Sequence, residues 1–217
     1  MSQDMLKLLF EALLDTTYMV AVSTLISTLL GIPLGVILVV TDKRGILESL
    51  YINRVLGSIV NAARSTPFII LMVAIIPLTR LLTGTSIGTN AAIVPLSLAA
   101  IPFVGRVVEA ALKEVDYGVV EAAQAMGASP FEIIRKVLIP ESLPSIILGI
   151  TLTIINLIGY SAMAGAIGGG GLGDLAIRYG YQRFRADIML ATVAILIAQV
   201  QIVQSCGDYL ARRVNKR

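Results

Sequence analysis

The charges of this chain leave long stretches with none. No Asp, Glu, Lys or Arg lies between Asp15 and Asp42, Arg64 and Arg80, Arg80 and Arg106, Glu141 and Asp174, or Asp187 and Asp208. A helix needs about 20 mostly apolar residues, at ~1.5 Å each, to cross the hydrocarbon of a bilayer. These stretches are of that order, and composition agrees. Hydrophobic residues make up 56% of the 217 positions and charged ones 14%, against roughly 25% charged in a soluble domain. Mean hydropathy is +0.86. The chain is expected to be an all-α integral membrane protein.

Reading each stretch outward to its flanking turn signals predicts five spans, at about residues 16–40, 56–80, 90–112, 143–166 and 187–209. The second run is short between its arginines, so it is extended back through Val55 to Ala63, with Arg64 near the membrane edge. Pro67 and Pro77 predict distorted or short helix ends there. The Gly-rich tail Gly165 to Gly173 is not expected to be straight helix. Five spans put the termini on opposite sides. With the C-terminus in the cytoplasm, twelve of the 17 Lys and Arg fall inside, including Lys43, Arg44, Arg106, Lys113, Lys216 and Arg217. Lys7, Arg80, Arg178, Arg183 and Arg185 fall outside. The excess of inside cations predicts a periplasmic N-terminus and a cytoplasmic C-terminus.

Several function classes are excluded by what is missing. One Cys permits no intramolecular disulfide, and the lack of His rules out His metal sites and a Ser-His-Asp triad. The net charge of +3 comes from scattered residues between apolar runs, which suits span flanks better than nucleic acid. No cleaved secretory signal is recognisable in Met1 to Asp15. Cys206 reads as a small packing residue. Gly168 to Gly173 formally fits G-x-G-x-x-G, but a dinucleotide site needs a strand before it. No P-loop motif occurs, so any ATP-driven step needs a second polypeptide.

The polar segment 113–141 stands out between the third and fourth spans. Val119 to Met126 has good helix formers and meets a stop at Gly127. Ser129, Pro130 and Glu132 then form the N-cap, first-turn proline and third-position acid of a capping box. The second helix carries Phe131, Ile134, Val137 and Leu138 at helical spacing and is expected to end before Pro140. Two short amphipathic helices on the cytoplasmic side suit either the headgroup interface or a groove in another protein.

Glu121-Ala122-Ala123, three residues, Gly127, nine residues, then Val137-Leu138-Ile139-Pro140 resembles the EAA loop of ABC-importer permeases. Val replaces Ile and Ile replaces Leu in that pattern. Arg64-Ser65-Thr66-Pro67-Phe68, Gly84 to Gly88, Gly159-Tyr160-Ser161-Ala162-Met163 and Gly168 to Gly173 resemble the permease subunits of methionine importers, over nearly the whole chain. The resemblance implies a type I ABC importer permease fold in the bacterial inner membrane, with 113–141 as the cytoplasmic coupling-helix loop. It implies Glu121, Ala122, Ala123, Gly127 and Pro140 as ATPase-coupling residues. It further implies a homodimer, two ATP-binding cassette subunits that hold ATP and Mg, and a periplasmic or lipid-anchored substrate-binding protein facing Gly170, Gly171 and Gly173. This chain itself would carry no cofactor, no metal and no catalytic residue.

Asn156, Tyr160, Ser161 and Met163 are the pathway or gate candidates. Met163 suits either an apolar plug that contacts a thioether or a simple packing role. Ser23, Thr24, Ser27, Thr28, Thr151 and Thr153 suit interhelical hydrogen bonds. No charge is expected deep in a span, which disfavours a stand-alone ion-driven carrier or an intramembrane enzyme. The expected function is alternating-access import of methionine, in both L and D forms, with another amino acid or small polar solute as the alternative.

Overall fold

A computed structural model describes residues 3–215. Lys216 and Arg217, counted above as inside cations, lie outside the described residues. Among those described, all regular structure is helical: α1 (Gln3–Val40), α2 (Leu50–Ser65), α3 (Phe68–Ala74), α4 (Ile76–Thr83), α5 (Thr89–Lys113), α6 (Tyr117–Ala125), α7 (Pro130–Ile133), a π segment (Ile134–Leu138), α8 (Ile139–Ala166), α9 (Gly171–Leu175), a second π segment (Ala176–Tyr181) and α10 (Ala186–Val214). Four helices are long and apolar enough to cross a membrane, and a fifth is added if the bent pair α2–α3 counts as one span.

The second expected span is the most altered. Pro67 takes the N-cap of α3 and has no N–H to continue α2, so the chain turns through 101° between α2 and α3. A second break at Ile75 separates α3 from α4, where Pro77 sits in the first turn. The expectation that the helix from Pro130 ends before Pro140 is overturned. Pro130–Ala166 is one uninterrupted helix. The Ile139 N–H bonds Ile134 O, five residues back, and this widened turn admits the Pro140 ring without the clash it would meet in a regular α-helix.

α1 and α5 pack along their lengths at Gly31, Gly35 and Gly105. A Cβ at Gly35 would stand 2.6 Å from Gly105 O, so the two backbones touch as small residues allow in membrane helices. Met19, Val20, Leu96, Leu157 and Ile158 form a core that joins α1, α5 and α8. Val104, Val108, Leu112, Ile133, Leu138 and Ile146 form a second at the end that carries α6.

The Gly-rich tail is a tight turn that folds back on the bundle. Gly168, Gly170 and Gly171 have φ of 89°, 79° and 73°, open to glycine at little cost. The Leu172 N–H donates to Thr16 Oγ1 at 2.8 Å, which ties the turn to α1. Gly171 and Gly173 are buried and Gly170 half-buried, so the first two do not offer themselves to a delivering protein as expected. A Cβ at Gly173 would lie 2.4 Å from Ala162 O and 2.5 Å from Ala162 Cα, both backbone. Gly173→Ala is therefore expected to cost about 2 kcal/mol or more by overpacking, read as loss of folded protein in fluorescence-detected size-exclusion. Unchanged yield and thermal midpoint would contradict this packing.

The small hydroxyls correct another expectation. Ser27, Thr151 and Thr153 donate to carbonyls of their own helix, because a short side chain reaches the preceding turn more easily than a neighbouring helix. Ser23 is the interhelical case, donating to Ile93 O at 3.5 Å. Cys206 is exposed on α10 and is not a core packing residue.

Candidate coupling site

α6 is built by strong local signals. Asp116 caps its start by accepting the Gly118 N–H at 2.8 Å. At its end Gly127 N–H donates to Gln124 O at 2.9 Å and Ala128 N–H to Ala123 O at 3.1 Å. With Gly127 at φ 80°, these bonds close a Schellman turn. The chain then re-enters helix at Ser129, where the expected capping box is present. Glu132 Oε2 accepts the Ser129 N–H at 3.1 Å, and Ser129 Oγ accepts the Glu132 N–H at 3.4 Å. Lys136 adds an ion pair to Glu132 at 2.9 Å.

One face of this hairpin is fastened down. Val120 and Ala123 of α6 are buried with Ile133 and Leu138 against Val108, Ala111 and Leu112 of α5. The opposite face is bare. Met126 is 81% exposed and Phe131 68%, and Tyr117 and Val119 are exposed beside them. Glu121, Ala122 and Gly127 share this exposure. Of the coupling candidates, Glu121, Ala122 and Gly127 thus face outward, while Ala123 is an anchor turned inward. Pro140 is exposed but lies in the helix that continues to α8, and it borders a cleft with Glu114 and Ser145. Met126 and Phe131, an apolar crest around the turn, are the candidate contact residues to add. Their apolar character at exposed helical positions was the available signal.

The pathway candidates separate in the same way. Asn156 and Met163 are exposed on one face of α8, two turns apart. Tyr160 is half-buried and stacks on Phe68 of α3, with ring centroids 4.6 Å apart and planes 5° from parallel. Ser161 is buried and donates to Ile158 O at 2.7 Å, so it faces the bundle and not an open route.

A charged cluster at the base of α5 has no counterpart in the expected pattern. Glu109 is 7% exposed although it carries a carboxylate. Its Oε2 accepts from Arg106 Nη1 at 2.6 Å and its Oε1 from Lys113 Nζ at 2.9 Å. Lys113 also pairs with Asp42, in the turn after α1, at 2.7 Å. The Lys113 hydrogen bond, aided by the Lys43 N–H, holds the Asp42 carboxyl below its usual range. Asp42 thus contributes stability that is complete above pH ~4 and is lost as pH falls through its lowered value. The spacing of Arg106, Glu109 and Lys113, three and then four residues apart on one helix face, was the legible signal.

The chain matches the family described as binding-protein-dependent transport system inner membrane component over residues 31–217. It is 60% identical over 210 residues to a probable D-methionine transport system permease protein, MetI, of Vibrio cholerae, covering 97% of this chain and 93% of that one. It is 49% identical over 182 residues to the methionine import system permease protein MetP of Bacillus subtilis, covering 83% and 82%. Its fold superposes with a TM-score of 0.98, at 45% identity and over 100% of both chains, on a chain of the MetNI methionine ABC transporter solved in inward facing conformations.

Proposed function

Because the chain belongs to the binding-protein-dependent transport system inner membrane components, the permease subunits of ABC importers, we propose that its cargo is methionine, D as well as L. The support is the identity to MetI and MetP and the near-complete superposition on a MetNI chain. The type I ABC importer permease fold it adopts holds five spans in this reading, with α2–α3 as the bent one, the N-terminus outside and the C-terminus inside. Two copies form the pathway, because the spans of one copy leave the Asn156–Met163 face uncovered. ATP and Mg belong to two separate ATPase subunits, and a substrate-binding protein, periplasmic or lipid-anchored, delivers cargo from outside.

The observation that carries the coupling part is the bare apolar crest around the turn between α6 and α7. A face with Met126 and Phe131 exposed, backed by a buried face on α5, is a rigid knob for a groove in a partner. Motion at this knob reaches the membrane by two rigid routes. One is α5, on which α6 sits. The other is the single helix Pro130–Ala166, which runs from Phe131 past Asn156 to Met163. When ATP draws the partner subunits together, both helices tilt and the two copies re-orient, opening the pathway outward. Hydrolysis returns them. Such a cycle needs two states whose balance nucleotide and loaded binding protein shift.

The test is uptake of labelled methionine by proteoliposomes that hold this chain, the ATPase subunits and the binding protein. L- and D-methionine are expected to compete with the label. Equal competition by unrelated polar amino acids would defeat the methionine reading.

A further inference from the structure

α2 is attached to the bundle mainly by polar bonds. Among the described residues, Val60 is its fully buried side chain. Its first turn hangs from the end of α1 through Asn53, whose Nδ2 donates to Leu38 O at 2.6 Å. Its middle is gripped by Arg106 of α5, whose Nη2 donates to Gly57 O at 3.1 Å and Asn61 Oδ1 at 2.8 Å. Through Nη1 the same guanidinium joins Glu109, and through Glu109 it reaches Lys113, the last residue of α5 before the chain turns to α6. One continuous chain of ion pairs and hydrogen bonds therefore links the base of the coupling segment to α2.

Two features mark this grip as one of two arrangements. Arg106 Nε is buried and has no hydrogen-bond partner among the described residues, and a donor left over in a buried network is an uncommon state that another arrangement can relieve. The guanidinium also borders an open cleft of about 480 Å³, lined in addition by Arg64, Phe103, Glu109 and Lys113, which gives it room to swing. Interdigitated apolar side chains resist sliding, whereas a guanidinium exchanges one carbonyl or amide acceptor for another within a turn of helix.

We propose that Arg106 is a positioning residue for transport, carrying displacement of α6 and the end of α5 to α2 by exchanging its acceptors on that helix. This rests on the reading of α6 as the docking element.

The test uses the complex with its ATPase subunits. Asn61→Ala removes one acceptor and leaves no buried charge unpaired, because Arg106 keeps Glu109. ATP hydrolysed per methionine imported is expected to rise about five-fold, with basal hydrolysis within about two-fold of the parent. Asn61→Asp, which keeps an acceptor oxygen, is expected to restore the parent ratio. A parent-like ratio in Asn61→Ala, or equal ratios in the Ala and Asp variants, overturns the proposal. Spin labels on Ile59→Cys and Ala110→Cys, in a Cys206→Ser background, read the α2–α5 separation directly. ATP is expected to change that separation, and a separation indifferent to ATP overturns the proposal. A complex that hydrolyses ATP but imports another solute defeats the methionine reading alone, since the label distances still judge Arg106.

Discussion

Met126→Glu is expected to abolish ATP-driven import while the protein inserts and folds as before. Met126 follows the last turn of α6 with its side chain in solvent, so the fold loses no packing. Surface changes of this kind usually alter stability by less than about 0.5 kcal/mol. In a groove of the ATPase subunit the new carboxylate would be stripped of water with no partner assigned to it. Loss of a central interface residue typically costs ~2 kcal/mol, roughly 30-fold in affinity, and a buried charge adds to that. Glu121→Lys acts on the exposed side of α6 itself. Glu121 is exposed, and reversing its charge alters the docked surface. Gly127→Val acts differently. The site has free space for a Cβ, so bulk is not the obstacle. The φ of 80° is, at about 1–2 kcal/mol for a residue with a Cβ, and it loosens the Schellman turn that sets the angle between α6 and Phe131. Co-purification of the ATPase subunits and import rate measure all three. Parent-like import by Met126→Glu and Glu121→Lys together would remove this face from the interface.

Glu109→Ala is expected to be the most destabilising single change at the base of the bundle. It leaves Arg106 and Lys113 facing each other across a buried gap with their shared carboxylate gone. Breaking a buried pair by removing one partner costs about 3–5 kcal/mol. The lower end applies here, because the Lys113 side chain is 46% exposed and its charge reaches water and Asp42. About 3 kcal/mol corresponds to a fall of roughly 10 °C in thermal midpoint for a chain of this size. Glu109→Gln keeps oxygen and nitrogen in place and is expected to fall by less than half of that. Equal midpoints for Glu109→Ala and the parent, in detergent at neutral pH, would show that the cluster does not hold α1, α2 and α5 together.

Much of this organisation was legible because it rests on local rules. Uncharged runs of span length mark where α1, α5, α8 and α10 lie. The capping box at Ser129 and the stop at Gly127 are set by residues within a few positions of each other, so their spacing alone reveals them. What was not legible depends on distant partners. Pro140 reads as a helix end until the π turn before it makes room for the ring. Pro67 and Pro77 mark a distorted second span, but the 101° turn between α2 and α3 is seen only in the folded chain. Ala122 and Ala123 are the same residue type, and only the α5 surface decides that one faces out and the other in. The stretch 168–173 reads as a flexible or tightly turned loop, but only the close contacts of Gly171 with Thr16 and of Gly173 with Ala162 explain why those two positions are small. Glu109 differs: its partners Arg106 and Lys113 are on the same helix and their spacing is readable, and only its burial needed the fold.

Whether the crest around the turn between α6 and α7 sits in a partner is decided most directly by site-specific crosslinking in the assembled transporter. Cysteines replacing Ala122 and Met126, in a Cys206→Ser background, are to be treated with a short bifunctional reagent in membranes that also contain the ATPase subunits and the binding protein. Both positions are expected to join to the ATPase subunit and to be shielded from water-soluble maleimide in its presence. Full maleimide labelling with no crosslinked product, at an assembly stoichiometry shown to be intact, would place this face in open solvent or against lipid and contradict its role as the seat of the motor.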